Sequence, residues 1–166
     1  MADEVRSEVG LIEPIRMEVI VRRTPEDAFS LFTTRMTAWW PMQRFTFGPG
    51  RSHEVLMEPF VGGRFYERYT DGDEFTIGQV LAWEPPRRVV FTWRGRWSMP
   101  TEITVKFTSK EPLITQVQVE HSGWERLGSG GIDRRNEYAN GWPAVLAAFV
   151  ESTARQSSRV DSLEQT

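Results

Sequence analysis

The chain has 166 residues, a formal charge of −3 and 26% charged residues, proportions that are typical of a single soluble globular domain. The small acidic excess argues against nucleic-acid binding, because a nucleic-acid surface needs clustered basic residues. With no cysteine and two histidines, the sequence excludes disulfides, thiol catalysis and multi-histidine or cysteine-based metal sites, so we expect no metal and no cofactor. The seven tryptophans indicate a large aromatic interior or cavity.

The two ends of the chain are polar and aperiodic. We therefore expect a flexible N-terminus over residues 1–12, one folded domain over 13–154 and a flexible C-terminal tail over 155–166. No apolar stretch approaches the roughly 18 residues that a membrane span needs, and no signal-peptide core follows Met1. The sequence predicts a cytoplasmic protein without a membrane span.

The folded part begins with one strand and two short helices. Strict alternation of apolar and charged residues predicts a strand over residues 15–21. Thr24 is then placed to cap a helix that has Pro25 at its first position. A second helical turn is expected from Met36 to Trp40, ending at Pro41.

The middle of the chain is predicted to be a run of antiparallel strands. Asp71-Gly72 marks a hairpin turn, and Pro85-Pro86 separates two neighbouring strands. Together with the first strand they predict a curved sheet of six or seven strands. The expected strands are His53–Phe60, Arg64–Thr70, Phe75–Trp83, Arg88–Arg94, Glu102–Thr108 and Ile114–Ser122.

A C-terminal helix is predicted by an apolar stripe at helical spacing, formed by Tyr138, Trp142, Val145 and Phe149. Pro143 interrupts this pattern, so the helix either starts near Trp142 or is kinked there. A curved sheet has one face to bury, and this helix is the element long enough to cover it. The fold class is therefore α+β, with the helix lying across the concave face.

Six short blocks carry a family resemblance by their order and spacing, of which the block from Gly78 to Trp93 is the strongest. The others are Ala28–Thr33, Trp39–Pro41, Gly62–Phe65, Val119–Trp124 and Gly141-Trp142. In these blocks the chain resembles the START-like, or Bet v 1-like (SRPBCC), superfamily. Within it, the chain is similar to bacterial relatives of the C-terminal domain of the heat-shock-protein-90 ATPase activator. The resemblance implies a helix-grip fold with two short helices after the first strand.

The resemblance implies several functions, because superfamily members bind lipids, hormones or polyketides, transform small molecules, or protect against toxins. The leading hypothesis is binding of a small, mostly apolar ligand, either aromatic, lipid-like or polyketide-like, between the sheet and the C-terminal helix. The alternatives are a pocket enzyme of the cyclase or hydrolase kind using His121, and a chaperone-interacting module. The protein is expected to be a monomer or a homodimer.

The ligand cavity is expected at the large side chains that a curved sheet and one helix would bring together. The glycines at 62, 63 and 78 would leave stretches of sheet with no side chain to fill it. For Trp142 and Trp40 a plain core position is the simpler interpretation, and Trp97 is the better candidate for a mobile lid. The expected binding residues are some of Phe65, Tyr69, Trp83, Phe91, Trp93, Val119, His121 and Trp142.

Two titratable positions are left open by the sequence. His121 shares a strand face with apolar residues, so it is either the polar group that orients the ligand or a histidine satisfied by protein neighbours. Glu67 points inward if Phe65 and Tyr69 do, and it would then need a partner. The other register turns Arg68 inward instead.

Overall fold

The structure is a computed structural model that describes residues 10–164, apart from the side chains of residues 52, 53 and 156–164. Residues 1–9 of the expected flexible N-terminus, and residues 165–166 of the expected tail, lie outside this range. The backbone of residues 155–164 is helical, because the C-terminal helix continues to Glu164. The flexibility of both ends stays a prediction.

Seven strands form one antiparallel sheet in the order β1-β7-β6-β5-β4-β3-β2, which confirms the predicted α+β helix-grip fold. The helices are α1 (Pro25–Phe32) and α2 (Gly131–Glu164), and two 3-10 segments occupy Met36–Ala38 and Trp124–Gly130. The strands are β1 (Ile15–Val21), β2 (Ser52–Met57), β3 (Arg64–Tyr69), β4 (Glu74–Glu84), β5 (Arg88–Trp93), β6 (Thr101–Glu111) and β7 (Ile114–Ser122).

Strand β4 has an interrupted register with both of its neighbours. Register shifts interrupt its pairing with β3 next to Phe65 and its pairing with β5 next to Val80. A register shift of this kind is a β-bulge, in which one strand carries an extra residue, and a bulge bends the strand and increases its twist. At Gly78 a Cβ atom would lie 1.7 Å from the backbone oxygen of Thr92, so no side chain fits there. Gly78 therefore permits a close backbone approach rather than leaving room for a ligand, which corrects the expectation from the sequence.

Helix α1 begins as the sequence predicts. The hydroxyl oxygen of Thr24 accepts a hydrogen bond from the backbone N–H of Asp27 over 3.2 Å, and Pro25 occupies the first helical position. Arg23 then donates to the Asp27 carboxylate and to the backbone oxygen of Thr153 in α2. The N-terminal end of α1 is thus tied to the C-terminal half of α2.

Helix α2 begins at Gly131, eleven residues before the start near Trp142 that one interpretation of the sequence favoured. Pro143 lies inside it, so the backbone oxygen of Ala139 receives no N–H from that position. Side chains on both sides of the proline are packed in the interior: Tyr138 and Trp142 before it contact rings of the sheet, and Phe149 after it is fully buried. These contacts offset the lost hydrogen bond. Neither α2 nor another helix in the described part combines the length and apolar character that a membrane crossing requires.

The predicted stripe of α2 faces the concave side of the sheet. Trp142, Val145 and Phe149 are buried there, and Phe149 has no exposed surface. The Phe149 ring meets Phe32 of α1 edge-on, with 5.2 Å between ring centroids, and Trp39 at 5.1 Å. One end of the helix is therefore held in a continuous aromatic core.

Replacing Phe149 by alanine should destabilise the protein by about 3–5 kcal/mol, because it removes a fully buried ring and leaves a cavity. Urea unfolding followed by tryptophan fluorescence measures this change. The matched control is Glu151→Ala, whose side chain is mostly exposed on the same helix and should change stability by about 0.5 kcal/mol at most. Equal effects of the two substitutions would show that α2 does not grip the sheet at this position.

Candidate functional site: an aromatic cavity between the sheet and α2

A cavity of about 230 Å³ lies between α2, the inner face of the sheet and the loop formed by residues 41–50. Its walls are mostly aromatic and aliphatic, which is the usual character of a small-molecule site. The main apolar walls are Trp40, Phe45, Phe47, Trp93, Trp142 and Val145. Arg44 and Glu137 stand at its mouth, where both side chains are exposed.

Three of the eight expected binding residues, Trp93, His121 and Trp142, line this cavity. The structure places the other five in the surrounding packing. Phe65 and Phe91 contact each other edge-on in the core, and Trp83 meets Phe29 of α1 at the opposite end of the sheet. Val119 is buried in the same core, and Tyr69 lies beneath Arg51 and beside Gly48.

The tryptophans at 40 and 142, for which a plain core position was the simpler interpretation, both form cavity walls while packing against their neighbours. Trp97, the expected lid, packs against Tyr138 and Trp124 just behind the wall. The space inside the cavity comes in part from Gly141 of α2, where a Cβ atom would meet only the Phe45 ring, at 3.3 Å. Gly62 and Gly63 lie elsewhere, next to Gln79 and Glu58.

His121 forms part of the back wall, and both of its ring nitrogens are engaged by protein groups. Its Nδ1 accepts the indole N–H of Trp142 over 3.1 Å, since an indole nitrogen can only donate. The Thr101 hydroxyl donates to the backbone oxygen of Trp93, so its oxygen accepts the Nε2–H of His121 over 2.7 Å. The network therefore requires a neutral histidine that carries its proton on Nε2.

Burial supports the same assignment. His121 has no exposed surface, and loss of water around the charged form lowers its pKa to about 3 from the ordinary 6.5. A proton taken up on Nδ1 would also face the donated N–H of Trp142. His121 is thus built as a structural hydrogen-bonding group, which favours the second of the two interpretations left open by the sequence.

Glu67 takes the inward orientation, together with Phe65 and Tyr69, and is 1% exposed. Its carboxylate accepts the hydroxyl of Thr46 over 2.6 Å and the backbone N–H of Phe47 over 2.8 Å. Charge-assisted bonds of this kind are stronger than neutral ones and help to compensate the cost of burying a carboxylate. Glu67 therefore places a fixed negative group in the cavity wall and also anchors the 41–50 loop.

The 41–50 loop closes one side of the cavity and is tied down at three further points. The indole N–H of Trp40 donates to the backbone oxygen of Phe45, and Arg96 donates to the backbone oxygen of Phe47. The Phe47 ring is stacked on Phe75, with 4.9 Å between centroids. These ties hold two phenylalanine rings of the loop at the cavity, so its wall is preformed.

Tyr138 supplies a second polar group to the cavity wall. Its hydroxyl oxygen accepts the indole N–H of Trp93 over 3.0 Å. Burial raises the pKa of Tyr138 above the ordinary value of about 10, so the hydroxyl keeps its hydrogen at neutral pH. Across the residues whose side chains are described, no three histidine, aspartate or glutamate side chains come together as a metal site.

The fold and the cavity agree with a family comparison. A family model described as "Activator of Hsp90 ATPase homolog 1-like protein" matches residues 22–153. The chain belongs to this family. The match confirms the resemblance to the START-like, or Bet v 1-like, superfamily that the sequence blocks carry. No curated protein matches the chain.

Solved structures of family-like folds extend the comparison. The chain is 30% identical to an anthrahydroquino-gamma-pyrone synthase, Txn09, over 86% of this chain and 97% of that one, with a TM-score of 0.59. It is 28% identical to CalC, a self-sacrificing resistance protein from Micromonospora echinospora, over 87% and 96% of the two chains, with a TM-score of 0.64. Protein MLL2253 from Mesorhizobium loti is 20% identical over 86% and 98%, with a TM-score of 0.65, and shares the fold.

Sequence reasoning missed the contribution of the 41–50 loop. Residues such as Phe45 and Thr46 follow no periodic pattern, and the proline and glycines that flank them predict only a loop. The one available signal was Glu67, a carboxylate on a strand face shared with two aromatic rings. A buried carboxylate requires donors, and the loop supplies them.

The depressed pKa of His121 predicts a loss of stability in acid. The unfolded chain binds a proton at His121 below pH 6.5 while the folded protein does not until about pH 3, so stability falls as pH drops through this window. Between pH 7 and pH 5 this one group should cost wild type about 2 kcal/mol, at about 1.4 kcal/mol per pH unit. Urea unfolding at both pH values, compared with His121→Gln, isolates the contribution.

The variant should lose less stability than wild type over this interval, because the groups common to both proteins cancel. In wild type, the ring signals of His121 in NMR spectra should not shift between pH 8 and pH 5. A midpoint near 6.5 for those signals would contradict the neutral, doubly bonded histidine.

Proposed function

We propose that the cavity binds a flat, mostly apolar aromatic molecule that carries one or two oxygen substituents. The observation that supports this most is a preformed aromatic cavity that contains two fixed polar groups, Glu67 and Tyr138, in otherwise apolar walls. Flat rings pack against indole and phenyl walls with favourable offset or edge-on geometry. Polar groups in such a site orient the ligand.

The cavity volume limits the size of the enclosed part of the ligand. An apolar protein cavity of about 150 Å³ accepts benzene. The cavity here is about 230 Å³, which leaves room for a second fused ring. Larger ligands would extend through the mouth, between Arg44 and Glu137. The proposed ligand is therefore bicyclic in its buried part.

Glu67 is the group proposed to select hydroxyl-bearing rings. A carboxylate has about four acceptor positions, and the bond that Glu67 receives from Tyr69, at 3.4 Å, is longer than those from Thr46 and Phe47, so a phenolic O–H of the ligand can compete for that position. Buried sites that hydrogen-bond a hydroxyl discriminate strongly against analogues that lack it. A phenol should accordingly bind more tightly than the parent hydrocarbon.

The relatives give independent support for this ligand class. Txn09 is named as an anthrahydroquino-gamma-pyrone synthase, and CalC as a resistance protein.

At 30% identity over most of both chains, Txn09 also favours a second candidate, an enzyme acting on an aromatic polyketide-like molecule. Such an enzyme would not use His121 as its acid or base, because both ring nitrogens are bonded within the protein. Mass spectrometry of the ligand after incubation separates the two functions, since a binding protein returns it unchanged.

Chaperone interaction, the third hypothesis, has the family description in its favour. A partner surface is expected to leave the interior filled and an apolar patch exposed. The open cavity between sheet and helix favours a small ligand instead. The cytoplasmic location, the absence of nucleic-acid binding and the monomeric or dimeric state stay predictions.

Filling the cavity tests the proposed function. Gly141→Leu places a side chain against Phe45 inside the cavity, whereas Ala147→Leu makes a comparable addition on the exposed face of α2. Gly141→Leu should weaken binding of 2-naphthol at least about tenfold, equivalent to about 1.4 kcal/mol. Ala147→Leu should bind as wild type does. Calorimetric titration gives the affinities.

The ligand-induced rise in melting temperature provides a second readout, because a ligand that binds only the folded state stabilises it by mass action. The proposed site would be ruled out if wild type did not bind 2-naphthol and if no bicyclic phenol or ketone raised its melting temperature. Equal binding by wild type and Gly141→Leu would place the ligand elsewhere on the protein.

A further inference from the structure

The hydroxyl of Tyr138 accepts one hydrogen bond, and its own hydrogen is available for donation to a ligand. Its oxygen accepts from the indole N–H of Trp93 over 3.0 Å. Among the described residues, the hydroxyl makes no second hydrogen bond, to side chain or backbone. Tyr138 and Trp93 both line the cavity, so this unused donor stands at the cavity wall.

Trp93 also fixes the direction of that donor. A phenolic O–H lies in the plane of its ring and has two in-plane positions. The indole nitrogen of Trp93 carries a hydrogen and no acceptor, so the O–H of Tyr138 cannot point toward it. The hydrogen therefore occupies the position directed away from Trp93. The indole N–H additionally polarises the hydroxyl, since hydrogen bonds in a chain strengthen one another.

The surroundings keep both side chains in place. The Tyr138 ring is packed against Trp97 at 5.3 Å, Trp124 at 5.4 Å and His121 at 5.7 Å between centroids. The backbone oxygen of Trp93 accepts the Thr101 hydroxyl that also holds His121. A donor held in this way loses little freedom when a ligand binds.

From this arrangement we infer that Tyr138, held by Trp93, donates a hydrogen bond to a carbonyl oxygen of the ligand, so that the natural ligand is a bicyclic or larger aromatic ketone, quinone or pyrone. This inference rests on the proposed function and narrows its ligand class. A carbonyl oxygen is an acceptor without a hydrogen, which complements the O–H that Tyr138 presents at the cavity wall. A hydroxyl group elsewhere on the ligand would meet Glu67, which lines the same cavity.

A matched pair of ligands tests the inference. 1-Tetralone and tetralin have the same fused-ring skeleton and differ by one carbonyl oxygen. Wild type should bind 1-tetralone more tightly than tetralin by about 3- to 10-fold, the worth of one net hydrogen bond. Tyr138→Phe should remove this preference and leave the affinity for tetralin unchanged. Tyr66→Phe is the control, because Tyr66 lies on the outer face of the sheet between Arg64 and Arg68.

Infrared spectroscopy of carbonyl-labelled 1-tetralone gives a readout that a merely structural role of Tyr138 would not move. The carbonyl stretch of the bound ligand should appear at lower wavenumber in wild type and in Tyr66→Phe than in Tyr138→Phe. Trp93→Phe should shift it part of the way, because the hydroxyl loses the indole that polarises and orients it.

The outcomes separate the two proposals. Binding of both ligands with equal affinity, and the same carbonyl stretch in wild type and Tyr138→Phe, would overturn the role of Tyr138 and leave the cavity as a binding site. If wild type binds none of 1-tetralone, tetralin and 2-naphthol, the proposed function is overturned and this inference with it.

Discussion

The site depends on one neutral imidazole buried between the sheet and the helix. His121 of β7 accepts from Trp142 of α2 and donates to Thr101 of β6, which in turn donates to the backbone of Trp93 in β5. The network returns to α2 because the Trp93 indole N–H donates to Tyr138, one helical turn before Trp142. Three strands and the helix are thus joined by directional bonds in a region where an unpaired polar group would cost about 1–3 kcal/mol.

This hydrogen-bond network explains why the sheet and the helix do not pack more closely and fill the gap between them. Apolar contact is non-directional and would favour closer packing of the rings. The hydrogen bonds of His121 and Trp93 instead fix where the Trp142 and Tyr138 rings stand. A second set of bonds fixes the 41–50 loop, because Glu67 of β3 accepts from Phe47 and Thr46 and so ties the loop to the sheet. The cavity lies between these two sets of hydrogen bonds.

Much of the fold could be predicted because its determinants are local. Alternation along β1, the cap at Thr24 and the turn at Asp71-Gly72 each depend on a few neighbouring residues, and the structure contains all three. The start of α2 could not be predicted in this way. Pro143 is locally unfavourable to a helix, and the helix that continues across it is packed on both sides of the proline against residues distant in sequence, Trp93 before it and Phe32 after it.

The site was less predictable because it is assembled from side chains that meet only after folding. The sequence left the facing of Phe65 open, and even for a ring known to point inward, such as Phe91, filling the core or lining a cavity depends on what stands opposite. The role of Gly78 was misassigned for a related reason. An absent side chain can make room for a ligand or for another strand, and here the backbone of Thr92 takes the space.

The central claim is that an aromatic ligand binds between sheet and helix rather than in the broad depression on the outer face, which includes Leu81, Val90 and Thr104. Intermolecular nuclear Overhauser effects between bound 2-naphthol and the protein test it most directly. The account predicts contacts from the ligand protons to the rings of Trp142 and Phe45. Contacts to the methyl groups of Leu81 and Val90, with none to those rings, would contradict it.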